Sequence, residues 1–250
     1  MTEEISALIV RENRDGIATL VLNRPEKRNA ISIRLLQALE AELDDIASSQ
    51  DQIGLVILRA NGPEFCAGAD LAEKDRQPRK NFQAKVIEKL AQLPQPVVVA
   101  VRGKCFTGGL ELALGGDFIV ADETAQFADT HGKWGLVPGW GMSQRLPRRI
   151  GQAKTREMMF TGRLYSADEA LQMGLVASVF ASDRFDAELE AMAQMIVQNS
   201  WHSLRGNKRL LNETDGMRLA EGLAHEVYNS PGKAPDVARR IGVQFNKKSA

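Results

Sequence analysis

Two hundred and fifty residues, 44% of them hydrophobic, suffice for one domain with a substantial core, since a chain of this size buries roughly 70–75% of its unfolded surface. Thirty-two basic residues balance thirty-two acidic ones, which argues against a general nucleic-acid binder and against an anionic membrane surface as partner. The opening MTEEIS lacks the positive flank and apolar stretch of a signal peptide, and no apolar run nears the ~20 residues that cross a bilayer; the expectation is a cytoplasmic protein.

Short β-rich runs alternate with helical ones through the first half. ALIVRE (7–12) and IATLVL (17–22) read as strands, IRLLQALEAELDDIA (33–47) as a helix, LVILRA (55–60) as a strand, FQAKVIEKLAQL (82–93) as a helix and PVVVAV (96–101) as a buried strand. Beyond about residue 150 helical patterns dominate, as in DAELEAMAQMIVQN (186–199) and GMRLAEGLAHEVYN (216–229). The order predicts an α/β core with a helical C-terminal part and no Pro-, Gly- or Ser-rich linker between them. Cys66 and Cys105 stand outside any CxxC or Cys/His spacing, so neither a disulfide nor a metal is expected. The basic clusters KDRQPRK (74–80) and RLPRR (145–149) could meet a phosphate but read first as solvated faces, and His202 and His225, with no motif around them, as structural or surface residues.

One stretch breaks the pattern. In GKCFTGGLELALGGD (103–117), Glu111 follows a glycine pair inside an otherwise apolar run, in the first turn of a predicted buried helix. The helix dipole returns about 0.3–1 kcal/mol to a carboxylate there, less than an unpaired buried charge costs. A capping box would need Ser or Thr at 108, where the chain has glycine. The glycine pair lets a ligand approach the backbone and aims free N–H groups at it. EFCAGADLAE (64–73) repeats the theme: a small-residue turn around Gly68, after a strand and ahead of an acidic helix-like start. Two such turns could place two N–H donors around one oxygen, an oxyanion hole.

NRPEKRNAIS (23–32), FCAGADL (65–71), TGGLELALGGDFIVAD (107–122), GLVPGWGMSQRLPRRIG (135–151) and TGRLYSADEALQMGLVASV (161–179) resemble, in order, the motifs of the enoyl-CoA hydratase/isomerase, or crotonase, family. The resemblance implies a spiral of repeated β-β-α units over 1–199 and a helical trimerisation region over 200–250 within one functional domain. It also implies a homotrimer or dimer of trimers, a role in fatty-acid metabolism, and an acyl-CoA thioester substrate that carries coenzyme A itself, with no further cofactor. Carried over residue by residue, Ala69 and Gly108 supply the oxyanion-hole amides. Lys27, Arg28 and Ala30 line the CoA path, and Ala67, Asp70 and Leu71 belong to the stretch that holds the adenine. Gly109, Thr130, Gly139 and Trp140 are counted among the substrate-binding residues; PGWG lies where family members line the acyl pocket, so Trp140 would shorten or flatten it.

Glu111 matches the first of the family's two catalytic glutamates; the position of the second is His131. Histidine also moves protons near neutral pH. Three readings stay open: His131 shares hydration with Glu111, Glu111 acts alone, or the site runs another family reaction. Beside them stands a structural histidine bonded to a backbone carbonyl. Asp129 is near enough in sequence to orient the imidazole, although i, i+2 neighbours face each other poorly on a helix. Ala72 replaces a family lysine, which leaves Lys74, Lys247 or Lys248 as candidate phosphate anchors. The leading expectation is an enoyl-CoA hydratase, a lyase. The alternatives are a Δ3,Δ2-enoyl-CoA isomerase, a thioester or C–C hydrolase with His131 as base, and a non-catalytic acyl-CoA or RNA-binding member.

Overall fold

The computed structural model describes residues 8–246, with side chains for 8–242; Lys247 and Lys248 lie outside the described residues. Strands β1 (Ile9–Arg14) and β2 (Ile17–Leu22) form an antiparallel hairpin, and helix α1 (Ile33–Ser48) follows. Ser32 caps α1 by accepting from Leu35 N–H. Next come β3 (Leu55–Ala60), α2 (Phe82–Ala91), β4 (Val97–Val101), β5 (Lys104–Phe106) and α3 (Gly108–Ala113). Strands β6 (Phe118–Asp122) and β7 (Gln126–Ala128) lead into a 3-10 turn (His131–Trp134) and helix α4 (Met142–Thr161). Strand β8 (Tyr165–Ser166), α5 (Ala167–Gln172) and β9 (Ser178–Phe180) precede helices α6 (Phe185–Val197), α7 (Trp201–Thr214), α8 (Leu219–Asn229) and α9 (Val237–Asn246).

Two sheets result among the described residues, ordered β1-β2-β3-β4-β6-β9 and β5-β7-β8. The larger is parallel from β2 onward. Each of the pairs β4/β5 and β6/β7 runs first through the large sheet and then into the small one, so the chain winds as a spiral of strand, turn, strand and helix. Period-2 alternation sorts the large sheet's side chains: Val97, Val99 and Val101 join the core beneath α1 and α2, while Val98 and Ala100 face Phe185, Leu189 and Ala193 of α6. Both faces are therefore covered, which is why PVVVAV reads as an unbroken apolar run.

The predicted strands and helices fall where the sequence placed them, with one difference. The segment after Asp70 does not start a helix: the next helix begins at Phe82. Glu73 instead turns back, and its Oε2 accepts the Ile33 N–H at 2.7 Å, adding a second cap to α1 and tying the 64–73 turn to that helix. Several cations of the basic clusters are held by internal ties. Arg79 pairs with Glu40, Arg145 with Glu88, Arg148 with Asp215, and Arg149 donates to Gly116 O. His225 bonds Glu213 and His202 meets Gly232 O, structural roles for both. Among the described residues no helix is long and apolar enough to cross a membrane.

Candidate functional site

Two turns after two strands meet at the site. Residues 66–70 run beside residue 31 and beside β5, through the bridges Cys66–Cys105 and Ile31–Ala69. Ile31 N–H donates to Gly68 O (2.8 Å) and Asp70 N–H to Ile31 O (2.9 Å). Successive amides alternate in extended chain, so Ala69 N–H turns away from Ile31. On the other side, β5 ends at Thr107, held at φ 53°, ψ −115°, a conformation that costs a non-glycine residue on the order of 1–3 kcal/mol. Thr107 is pinned there: its N–H donates to Ala128 O (2.9 Å) and its hydroxyl bonds that of Thr130 (2.6 Å). The kink starts α3 at Gly108.

The two turns are in contact. A methyl group on Gly108 would lie 3.3 Å from Ala69 N and 2.5 Å from the Trp140 ring, and one on Gly68 would lie 3.7 Å from Gly108 N. Among the described residues neither Ala69 N–H nor Gly108 N–H finds a protein acceptor. They are a pair of free donors side by side, as an oxyanion hole requires. Gly109 serves differently from expectation. It does not line the cleft but backs onto the 66–70 turn, where a Cβ would sit 2.6 Å from Cys66 O; its smallness is what lets α3 approach.

Glu111, 1% exposed, has one oxygen fixed and one presented. Oε1 accepts from Trp140 N (2.8 Å) and Met142 N (3.1 Å), while Oε2 lies 3.7 Å from His131 Nε2. Burial pushes the Glu111 carboxyl above its ordinary value, against the pull of the two amides and His131, and Asp129 adds to the rise. The opposite edge of the His131 ring is held by Asp129, Nδ1 to Oδ1 at 2.5 Å, and the same oxygen accepts His131 N–H at 3.1 Å. A carboxylate only accepts, so in the neutral ring Nδ1 carries the proton and Nε2 turns its lone pair to Glu111. The contact arises because β7 ends at Ala128 and the 3-10 turn begins at His131: the helical geometry that would separate residues 129 and 131 is absent. His131 is thereby bonded to a carboxylate, not to a backbone carbonyl.

A cleft of about 560 Å³ opens over this centre. Of the residues the sequence singled out, Lys27, Arg28, Ala30, Ala67, Ala69, Asp70, Leu71, Gly108, Glu111, Thr130, His131, Gly139 and Trp140 line it. Arg28 and Asn29 both sit at φ 51°, and buried Asn29 bonds Arg24 N, Asn61 O and Glu64 O, which fixes the Lys27–Ala30 rim. Ala67 N–H then donates to Arg28 O at 3.0 Å. Asp70 is engaged with Arg24 at 2.7 Å; burial would raise its carboxyl, but Arg24 and the Ala72 amide outweigh that and hold it low. Its side chain therefore braces the turn while also lining the cleft. Lys74 lies outside the lining, and among the described residues Lys27 and Arg28 are the cations at the rim. Glu26, Thr107, Leu136 and Val137 also line the cleft and were missed. Only Thr107 carried a signal, its place beside the glycine pair.

A family model described as enoyl-CoA hydratase/isomerase matches residues 12–242. The chain is 35% identical to the 2,3-dehydroadipyl-CoA hydratase of Escherichia coli, over 89% of this chain and 88% of that one. It is also 35% identical to an enoyl-CoA isomerase/hydratase of Mycosarcoma maydis, over 83% and 81%. The crystal structure of an enoyl-CoA hydratase from Bacillus anthracis superposes with a TM-score of 0.88 at 32% identity, covering 97% of this chain and 96% of that one.

Proposed function

The chain belongs to the enoyl-CoA hydratase/isomerase family, and from that membership and the site's geometry we propose that it is a hydratase, adding water reversibly across the double bond of a 2-enoyl-CoA thioester. The observation that carries the reading is the facing pair, Glu111 Oε2 and His131 Nε2 at 3.7 Å, beside two unoccupied amide donors. Hydration needs a site for a negative oxygen, a base for water and an acid for carbon; the cleft presents all three.

In the proposed cycle the thioester oxygen accepts from Ala69 and Gly108 N–H. Water loses a proton to His131 Nε2 as its oxygen bonds to C3. The electron pair of the double bond moves to the thioester oxygen, giving an enolate that the two amides hold. Glu111, whose buried carboxyl holds its proton more tightly than an ordinary one, delivers a proton to C2 as the general acid. The proton on Nε2 then crosses to Oε2, restoring both groups. Asp129 keeps Nδ1 protonated throughout, so that Nε2 stays the basic atom. Lys27 and Arg28 at the rim meet the phosphates of coenzyme A, which enters as part of the substrate.

The chain from residue 200 onward is assigned to assembly within the same functional unit. Support comes from α8, which buries none of its residues and leaves Leu219, Leu223 and Val227 exposed at i, i+4 and i+8. That stripe suits a homotrimer or dimer of trimers. Cytoplasmic acyl-thioester metabolism, fatty-acid turnover included, is the setting this chemistry fits.

The test is to offer the protein 2-enoyl-CoA thioesters and follow product mass. A gain of one water is expected. An unchanged mass with a shifted double bond would make it an isomerase, and free CoA a hydrolase.

A further inference from the structure

We propose that the Trp140 indole is a wall closing the acyl end of the cleft, and that it restricts this enzyme to short-chain 2-enoyl thioesters; the inference rests on the hydratase reading. Behind the catalytic cleft lies a second, larger cavity of about 890 Å³, bounded by α2, the Gly115–Asp117 turn after α3, α4 and α7. Among the described residues only Gly139 and Trp140 line both spaces. Gly139 has no side chain, so among the described residues the indole is the one side chain that both linings share.

The ring stands where the acyl chain must go. It packs against Gly108, since a methyl there would meet Cζ3 at 2.5 Å and Cε3 at 3.2 Å. A thioester oxygen held by the Gly108 amide puts C2 and C3 between Glu111 and His131, and the following carbons meet the indole. The wall is fixed at its root: Trp140 N–H donates to Glu111 Oε1 (2.8 Å), its C=O accepts from Arg145 (2.9 Å), and Arg145 is ion-paired with Glu88. The other way out of the cleft leads over Leu71, Trp134 and Val137, which are 64%, 64% and 85% exposed. A long alkyl chain laid there would stay wet and gain little from burial. The cleft therefore shelters a short acyl group and offers a longer one no dry path.

The experiment compares kcat/KM for 2-butenoyl-CoA and 2-decenoyl-CoA in the wild type, Trp140→Ala, Ala84→Phe and the double variant. Ala84 lines only the rear cavity, so Ala84→Phe narrows the space to which Trp140→Ala opens the cleft. The wild type is expected to favour the shorter substrate by at least about tenfold, the scale of steric discrimination in a pocket. Trp140→Ala raises the long-to-short ratio at least about tenfold, Ala84→Phe alone leaves it unchanged, and the double variant returns it to the wild-type value. If Trp140→Ala does not fold, Trp140→Phe is expected to shift the ratio in the same direction by less. An unmoved ratio in the folded variant, or a wild type indifferent to length, overturns the wall. Binding of the unreactive butanoyl-CoA and decanoyl-CoA, followed by calorimetry on the same proteins, reads the wall without turnover. Absence of hydration with the binding ratio still shifted by Trp140→Ala overturns the hydratase reading and keeps the wall. Hydration with no shift does the reverse.

Discussion

In the proposed hydration Glu111 and His131 divide one task because their surroundings differ. Two backbone amides clamp one oxygen of Glu111, and Asp129 clamps one nitrogen of His131, so each keeps a single atom free and the free atoms face each other. Glu111→Gln keeps an oxygen for the two amides but cannot give up a proton; kcat is expected to fall about 10²–10⁴-fold with acyl-CoA binding retained, measured by steady-state kinetics and calorimetry. The same variant reads the buried charge. Because burial raises the Glu111 pKa in the folded state, the stability it contributes is fully present below the ordinary carboxylate value and is lost as pH rises through the raised one. Urea midpoints of wild type and Glu111→Gln should thus diverge from pH 4 to pH 8, the variant gaining at the alkaline end; parallel curves would mean that Glu111 stays protonated across the range or is not strained by burial. Asp129→Asn probes the tautomer. Its amide can offer Nδ1 a donor, which turns the ring proton to Nε2 and blocks the base, so kcat should drop at least about tenfold while KM changes little. Equal activity in Asp129→Asn would remove Asp129 from the mechanism.

At the scale of elements, the site exists because α3 is pressed against the 66–70 turn, and two adjacent glycines allow it in different ways. Gly108→Ala would drive a methyl into the Trp140 ring, a movable side chain, whereas Gly109→Ala would drive one into Cys66 O, a backbone atom. Overpacking of this kind costs typically about 1–3 kcal/mol. Gly109→Ala is expected at or above the top of that range and Gly108→Ala toward the bottom, with the Gly108→Ala loss relieved in combination with Trp140→Ala; thermal denaturation of the four proteins measures it. Activity should order them the other way, since moving the Gly108 amide disturbs a donor worth about 10²–10³ in rate. Much of this element was legible in the sequence. A lone carboxylate two residues after a glycine pair located the catalytic turn, and β-branched runs located the strands that carry it. The rest depended on contacts distant in sequence. That Gly109 faces Cys66, that Thr107 takes a left-handed turn, and that Glu73 caps α1 are set by which strand lies beside which. The Asp129–His131 contact was hidden for another reason: apolar periodicity does not distinguish a helix from the single 3-10 turn found there.

For the whole molecule, the distribution of apolar surface separates what one chain completes from what it leaves open. The sheet is sealed on both faces, and α7 is anchored by Lys208, whose ammonium reaches Asp117 (2.9 Å) and Gln95 O (3.0 Å) in the interior. Burial lowers its pKa against the pull of Asp117, so this tie is costly unless paired, and the pairing fixes where the C-terminal helices leave the core. Helix α8 then projects with no apolar residue covered, Leu219, Leu223 and Val227 in line and Tyr228 86% exposed beside them. A helix of this length gains most of its stability from packing its apolar face, so the proposed assembly would set a second copy against that stripe. Leu223→Lys together with Val227→Lys places two charges in the stripe while leaving the catalytic cleft untouched. Sedimentation should show the wild type as a trimer or a multiple of it and the double variant as a monomer with a lower melting temperature. If the variant sediments like the wild type, α8 is not the assembly surface.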